Sequence, residues 1–478
     1  MALIGHPDPA PTPESNSAHD RRARDVADDV VRLAAGLPDP GVVGGAPSID
    51  GSNDVASSAF DVDRLLASTA SFAAAALGER EITLGLDHLL AWCTTFVEVD
   101  GEPVPAWGEL SGVYPTADDG HVQIHCNFPH HSRAVAETLG VSEDRAAIAD
   151  AMARSTASDL EQRLVAGGAV AAALRTLDQW DRHPHATATD GLPLVSISPI
   201  GSASGREDRD DRGGPRGDGP MRVLDCSRVL AGPIAGQLLA GSGADVLRLG
   251  AAHLPSVDVG VLSTGFGKRN AFADVRTGEG RATMRELLSG ADVWIDAYRP
   301  GAFAGHGLTP ELAAELRPGI VVVQISAFDL VGPWAGRRGF DSIVQTATGI
   351  RHAGGEVAVD RDGRPADADS SPTPRGLPVQ ALDYATGFLG AGIAAAMVEH
   401  RRRHGGSWLA QLSLLRTRDH LVSLGPPVPY VPAPVPVHDR FRQTVEAEVG
   451  RLTTVRPFLG GDTHPPRPLG SSPPAWAS

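Results

Sequence analysis

Apolar positions change their period along this chain, and the change divides it. From residue 221 onward, short apolar runs alternate with segments of helical period. The stretch MRVLDCSRVLAGPIAGQLLAGSGADVLRL reads as a strand, a turn of small residues, a helix over 234–239 and a second strand. The rhythm continues with a helix at 278–289, a strand at 292–295, a helix at 310–316 and a strand at 319–325. A long Ala- and Gly-rich helix at 382–403 stops at Gly405-Gly406, and a strand follows at 408–412. Strand–helix alternation of this kind predicts an α/β fold with a doubly wound parallel sheet.

Upstream the pattern is different. An Ala/Leu-rich helical segment at 61–77 leads into strand-like pieces in SGVYPTADDGHVQIHCNF, where "DDG" reads as a hairpin turn. Helical patterns follow at 133–139, 144–152 and 157–166. These make a smaller α+β domain over 61–200. Residues 201–220, GSASGREDRDDRGGPRGDGP, hold no large apolar side chain and are expected to be a linker. Residues 1–60 carry one modest helical pattern, at 26–35, and are expected to be a flexible arm. The core is assigned to 221–424, and 425–478 to a Pro-rich tail that wraps the surface.

Charge narrows the partners. With 42 Lys+Arg against 58 Asp+Glu, the chain carries −16 and would repel a nucleic acid backbone. An anionic ligand then needs a local positive patch. Three scattered cysteines, Cys93, Cys126 and Cys226, show no zinc spacing and suit a reducing, cytoplasmic setting. The N-terminus lacks a basic-then-apolar leader, and the apolar run at 388–398 is short for a span, so no membrane role is expected. Of the basic residues a single one, Lys268, is lysine.

Several segments are candidates for chemistry. The turn Ala231–Gly236 joins a strand to a helix, where free N–H groups attract phosphate, but it is not GxGxxG; close packing alone would also explain its small residues. Lys268 and Arg269 follow a glycine-rich turn that fails the phosphate-loop pattern, and either hold a phosphorylated ligand or sit in a solvated loop. His121, His125, His130 and His131 crowd one stretch, and His183 and His185 flank Pro184, without a complete metal spacing; no metal site is expected. No GxSxG elbow is present. Asp383, in PVQALDYATGFLGAG, stands at the start of an apolar helix, where it reads as an N-cap or as a carboxylate able to attack a thioester.

Taken in order, VLDCSRVLAGPIAG, GADVLRL, GKRNAFADVRTGEGRATMRELLSGADVWIDAYRPGAF, GLTPELAAELRPGIVVVQISAF, GPWAGRRGFDSIVQTATGI and LPVQALDYATG resemble the family III CoA transferases, the CaiB/BaiF-like group of formyl-CoA and carnitine CoA-transferases. The resemblance covers about residues 221–417. The first half is similar to the small domain that usually follows the family's core, here placed before it, and the closing PPRPLGSSPPAWAS resembles a family C-terminus that returns to the core.

What the resemblance implies is a Rossmann-like core, an interlocked homodimer, and transfer of CoA between an acyl-CoA and a carboxylic acid. Coenzyme A would be a substrate, with no tightly bound cofactor. It makes Asp383 the nucleophile, forming an aspartyl anhydride and then an aspartyl-CoA thioester. CoA would lie against Ala231, with Lys268, Arg269 and more weakly Arg299 as phosphate contacts. Departures from the family pattern fall at Gly250-Ala251, Ala297 and Gly305, which put CoA binding in question. Related racemases carry a His where Phe340 stands, so racemisation loses its base. Alternatives are a racemase, isomerase or lyase of the same superfamily, or a catalytically silent CoA-binding protein.

Overall fold

In the computed structural model, the described residues are 13–50, 55–79, 82–201, 219–357, 373–461 and 463–477. Seven strands form the main sheet: β1 (Ser196–Ile200), β2 (Arg222–Cys226), β3 (Asp245–Gly250), β4 (Lys268–Phe272), β5 (Val293–Asp296), β6 (Val321–Ser326) and β7 (Ser407–Ser413). Their spatial order is β4-β3-β2-β5-β6-β7-β1. β2 to β7 are mutually parallel, and β1 closes the edge antiparallel to β7. Chain direction reverses its march across the sheet between β2 and β5, which leaves a crevice at the carboxyl ends of those two strands.

Both faces of the sheet are covered, as the near-continuous apolar strands require. Val223, Ile295 and Val323 enter one core, while Leu224, Trp294 and Val322 enter another on the opposite face. The first core is built on helices α1 (Pro13–Ala35), α2 (Val62–Ala76), α3 (Ala231–Gly241), α4 (Asp341–Ala347) and α5 (Ala381–His404). The second is closed by Gly278–Gly290 and Pro310–Leu316. Small residues let α5 approach its neighbours closely. A Cβ on Gly387 would stand 2.7 Å from the Ala231 carbonyl oxygen, and one on Gly392 2.7 Å from the Phe72 ring. α5 is long and apolar enough to cross a membrane, and its apolar window is wholly buried within the protein.

Several expected boundaries move. Residues 13–35 of the supposed arm are α1, whose Val26 and Val30 are buried. Asp29 of α1 takes a two-pronged contact from Arg64, at 2.7 and 3.0 Å, and Arg22 reaches Asp63 at 2.9 Å. Polar, alternating sequence hid a helix that becomes stable only against α2. Nor is 61–200 one domain. α2 belongs to the large core, β1 joins the large sheet, and Val97–Val99 pairs with Gly450–Val455. What remains separate is a three-stranded sheet of Gly112–Pro115, His121–Ile124 and Ala171–Ala173, with its own core around Ile124, Val135 and Leu160.

The tail at 425–478 contains a hairpin, Arg442–Ala447 with Gly450–Val455, before it reaches the outer strand. There Ser472 N–H donates to the Asn270 carbonyl at 2.8 Å, and Trp476 Nε1 donates to the Leu287 carbonyl at 3.0 Å. The linker expected at 201–220 lies almost wholly outside the described residues.

Candidate active site

The crevice at the carboxyl ends of β2 and β5 is a cleft of about 960 Å³, counted out to its solvent mouth. Its floor comes from the loop after β2 (Arg228, Val229, Ala231, Gly232) and from Ala297–Pro300 after β5. Residues 325–327 at the end of β6 and Leu414 after β7 continue it. The three-stranded unit supplies a wall of Phe128, His130 and His131, and residues 337–340 supply another. Asp383 completes the lining. A smaller pocket of about 260 Å³ adjoins it, sharing Phe128, Arg228 and Val229 and adding Arg248.

Asp383 sits in the first turn of α5 and is 7% exposed. It makes no side-chain cap for its own helix, which removes the plain N-cap reading. Its backbone N–H donates to Asp341 Oδ2 at 2.9 Å, joining the starts of α4 and α5. Asp341 is fully buried, and its other oxygen accepts from the Gln345 side chain. Burial pushes Asp341 up to about 6, against the opposing N–H donors and the nearby Arg351 charge. Burial also raises Asp383 well above the usual carboxylate range, and the Asp341 charge adds to it. The nearby Ala231 N–H, at the start of α3, works in the other direction by favouring the charged form. The result is a poorly hydrated carboxyl group facing the cleft, with one backbone donor aimed at it.

The loop carrying that donor is held from below. Lys268 is 1% exposed, and its Nζ donates to Asp225 Oδ2 at 2.8 Å and to the Pro233 carbonyl at 2.6 Å. Asp225 also accepts from the Ser227 hydroxyl. A Cβ on Gly236 would meet Asp225 Oδ2 at 2.5 Å, and one on Gly232 would meet Ser227 Cβ at 2.4 Å. Close packing therefore accounts for the two glycines of AGPIAG. Val229 takes a φ of 73°, in the left-handed region that β-branched residues rarely enter.

These contacts correct two expectations. Lys268 is not available to phosphate: it is the buried partner of Asp225 and a brace for α3. Arg269 faces the other way, pairing with Asp245 at 2.8 Å and donating to the Ala475 carbonyl at 2.7 Å. Ala231 and Arg299 do line the cleft with Asp383. Of the departures from pattern, Ala297 lines the cleft, Gly250 ends β3, and a side chain at Gly305 would meet open space.

The positive patch that an acidic chain needs comes from residues the sequence pattern did not single out. Arg228, Arg337 and Arg338 line the cleft with Arg299. Arg228 lies over the Phe128 ring at 4.4 Å and donates to the Pro255 carbonyl. Arg337 is tied to Glu161 at 2.8 Å, and Arg338 to the Gly168 carbonyl at 2.8 Å. Arg248 is 9% exposed, and while its backbone is paired in the sheet, its guanidinium makes no hydrogen bond to a described residue. A nearly buried guanidinium without an acceptor, next to Arg228 in a pocket, is suited to an anion.

The histidines divide. His125 is buried and stacks on Phe340 with ring centres 3.8 Å apart. Burial, followed by the neighbouring His130, pushes His131 down to about 3. His183 accepts the His185 N–H at 3.1 Å, and His185 contacts the Phe328 carbonyl at 2.6 Å, so this pair shapes a turn.

Residues 220–426 match the family model described as CoA-transferase family III. A succinate–glutarate CoA-transferase of Agrobacterium fabrum is 32% identical over 235 residues, covering 44% of this chain and 56% of that protein. A succinyl-CoA:glutarate CoA-transferase of Mus musculus is 28% identical over 210 residues, covering 41% and 45%. A crystal structure of a CAIB/BAIF family protein from Brucella suis is 24% identical, covers 49% of this chain and 64% of that one, and has a TM-score of 0.36. The chain spans about half the length of the curated relatives it matches. The segment that builds the parallel sheet and carries Asp383, residues 220–426, is a CoA-transferase family III domain.

Proposed function

We propose that this protein moves CoA between an acyl-CoA thioester and a carboxylic acid, with Asp383 as the covalent nucleophile. The observation that carries this reading is the placement of Asp383 on the wall of an arginine-lined cleft at the carboxyl ends of β2 and β5. The Asp383 carboxylate attacks the thioester carbonyl, expelling CoA thiolate and leaving a mixed anhydride. The thiolate attacks the aspartyl carbonyl, which releases the first acid as its carboxylate and leaves aspartyl-CoA thioester. The acceptor carboxylate then attacks that thioester carbonyl and expels the thiolate again. Finally the thiolate attacks the acceptor's acyl carbonyl, giving the new acyl-CoA and restoring the Asp383 carboxylate. The Ala231 N–H is placed to bind oxyanions formed at the Asp383 carboxyl. Arg228 and Arg248 are assigned to the CoA phosphates, in place of Lys268 and Arg269.

A racemase or isomerase is weaker on physical grounds. Such an enzyme needs a second group that accepts the α-proton. His131 lines the cleft, but an imidazole whose conjugate acid is pushed down to about 3 is a poor base for a weak carbon acid. The reading includes a homodimer, on the family resemblance, and a cytoplasmic setting, supported by three buried free thiols, Cys93, Cys126 and Cys226.

The test is to incubate the protein with a panel of acyl-CoAs, quench with hydroxylamine and map the peptides by mass spectrometry. A hydroxamate on the Asp383 peptide, dependent on one donor and absent in Asp383→Asn, is the expected result. CoA binding without any adduct across the panel would overturn the covalent route and favour a silent binder.

A further inference from the structure

Three metal-ligating side chains converge at the end of α5 opposite Asp383. His400 and His404 occur in EHRRRH, and their i, i+4 spacing puts both imidazoles on one face of the helix. Asp39 lies in the segment after α1, where it accepts the Gly41 N–H and caps the short turn Pro40–Val42. One ligand atom from each of Asp39, His400 and His404 lies within 4.8 Å of the others. His404 Nε2 and Asp39 Oδ2 are 3.3 Å apart. Two ligand atoms on a tetrahedral zinc ion, each about 2.0–2.1 Å from it, are separated by about 3.3 Å.

His400 supplies an independent sign. It is 6% exposed, and its Nδ1 is buried with no hydrogen-bond partner among the described residues. Buried polar nitrogens rarely go unpartnered; the ring lies 4.7 Å from the His404 ring and edge-on to Trp408 at 4.9 Å, and an imidazole beside a second imidazole and a carboxylate is suited to a cation.

We propose that Asp39, His400 and His404 bind one divalent transition-metal ion of the zinc type, which staples the segment after α1 to the end of α5. Two imidazoles and one carboxylate match the ligand preferences of zinc and leave a position for water. The site lies at the C-terminus of a 24-residue helix, whose free carbonyls favour a cation. The neighbouring arginines are already engaged. Arg402 and Arg403 pair with Glu399 at 3.6 and 2.9 Å. Arg403 also approaches Asp39 at 3.5 Å, a contact the metal would replace while Arg403 keeps Glu399. Asp383 is about 26 Å away along the helix at ~1.5 Å per residue, so the ion would act on stability and not on the acyl chemistry.

The test uses full-length, tag-free protein stripped with chelator and titrated with zinc chloride by calorimetry. One equivalent should bind, and at roughly a hundredfold excess over the dissociation constant the folded-to-unfolded ratio should rise about 100-fold, read as a higher Tm. Asp39→Asn and His404→Ala alter side chains that are 25% and 54% exposed, so both variants should fold. Each should weaken zinc binding by at least about tenfold, since even outer partners of metal ligands are worth that much. Cobalt(II) should give the absorption of a tetrahedral site in the unaltered protein and lose it in the variants. Absence of stoichiometric zinc uptake, or uptake undiminished in both variants, would overturn the proposal.

Discussion

Lys268→Met isolates what the buried ion pair contributes, because methionine matches the length of the lysine stem and removes only its charge and donors. In the native protein the ammonium and the Asp225 carboxylate are 1% and 0% exposed and 2.8 Å apart. Burial lowers the Lys268 ammonium from its ordinary value, and Asp225 opposes that shift. The variant leaves Asp225 with the Ser227 hydroxyl as its remaining side-chain partner and takes the donor from the Pro233 carbonyl. Breaking one side of such a pair costs about 3–5 kcal/mol, since an uncompensated charge stays in the interior. A loss of that size lowers amide protection in β2 and β4 by roughly two to four decades, at ~1.4 kcal/mol per decade. Hydrogen exchange read by mass spectrometry on peptides from these strands is the assay. Lys268→Met combined with Asp225→Asn should recover more than half of the loss, because the amide keeps a partner for Ser227 without a charge. Protection within tenfold of the native protein, or a double variant no better than the single one, would refute the reasoning.

Three further outcomes are expected. Asp341→Asn removes the like charge that helps hold Asp383 high, so the Asp383 carboxylate should persist to lower pH; the acid limb of kcat/KM against pH should move toward acid, and a limb that stays or moves up would sink the assignment. Arg248→Gln should raise KM for acyl-CoA by about tenfold or more with little change in kcat, the size of one charge-assisted hydrogen bond, as steady-state kinetics would show. Gly387→Ala would stabilise an exposed helix by about 1 kcal/mol, but here its Cβ would stand 2.7 Å from the Ala231 carbonyl oxygen; a net loss of about 1–3 kcal/mol in thermal melts and reduced transfer are expected.

How far the fold could be read from the sequence depended on the range of the interactions behind each element. The strands and helices expected after residue 221 form from local period, and β6, β7 and α5 end within a few residues of their expected limits, whereas β4, α4 and the helices Asp258–Thr264 and Leu414–Ser423 carry no comparable local signal. α1 did not show itself as a full helix, because its buried face is narrow and its polar Asp29 and Arg22 are satisfied by α2, more than 30 residues away. The boundary at residue 200 failed for the same reason: Val97–Val99 finds its partner strand some 350 residues later. Asp383, which lines the cleft, stands out in the sequence through the resemblance of LDYATG alone, because its helix start reads equally as an N-cap. Lys268 was misread because a cation after a glycine turn looks exposed, whereas its partner Asp225 lies 43 residues upstream.

The burial of Lys268 and the opening of Arg248 onto a pocket have a common origin in the doubly wound topology. Parallel strands bring their carboxyl ends together while their residues stay tens of positions apart in the chain. A cation on β4 pointing toward the neighbouring helix is consumed in holding the loop after β2, whereas Arg248, on β3, opens onto the adjoining pocket. Strand direction and pleat decide which of the two is spent on architecture and which is left for a ligand. In a chain with a net charge of −16 that allocation matters more than the count of basic residues. Among the described residues Arg228, Arg248 and Arg299 pair with no carboxylate, whereas Lys268 and Arg269 are paired with Asp225 and Asp245, and Arg337 shares Glu161 with Arg175. The unpaired charge of Arg228 and Arg299 therefore shares one cleft with Asp383 at the carboxyl ends of the parallel strands, and Arg248 opens onto the pocket beside it.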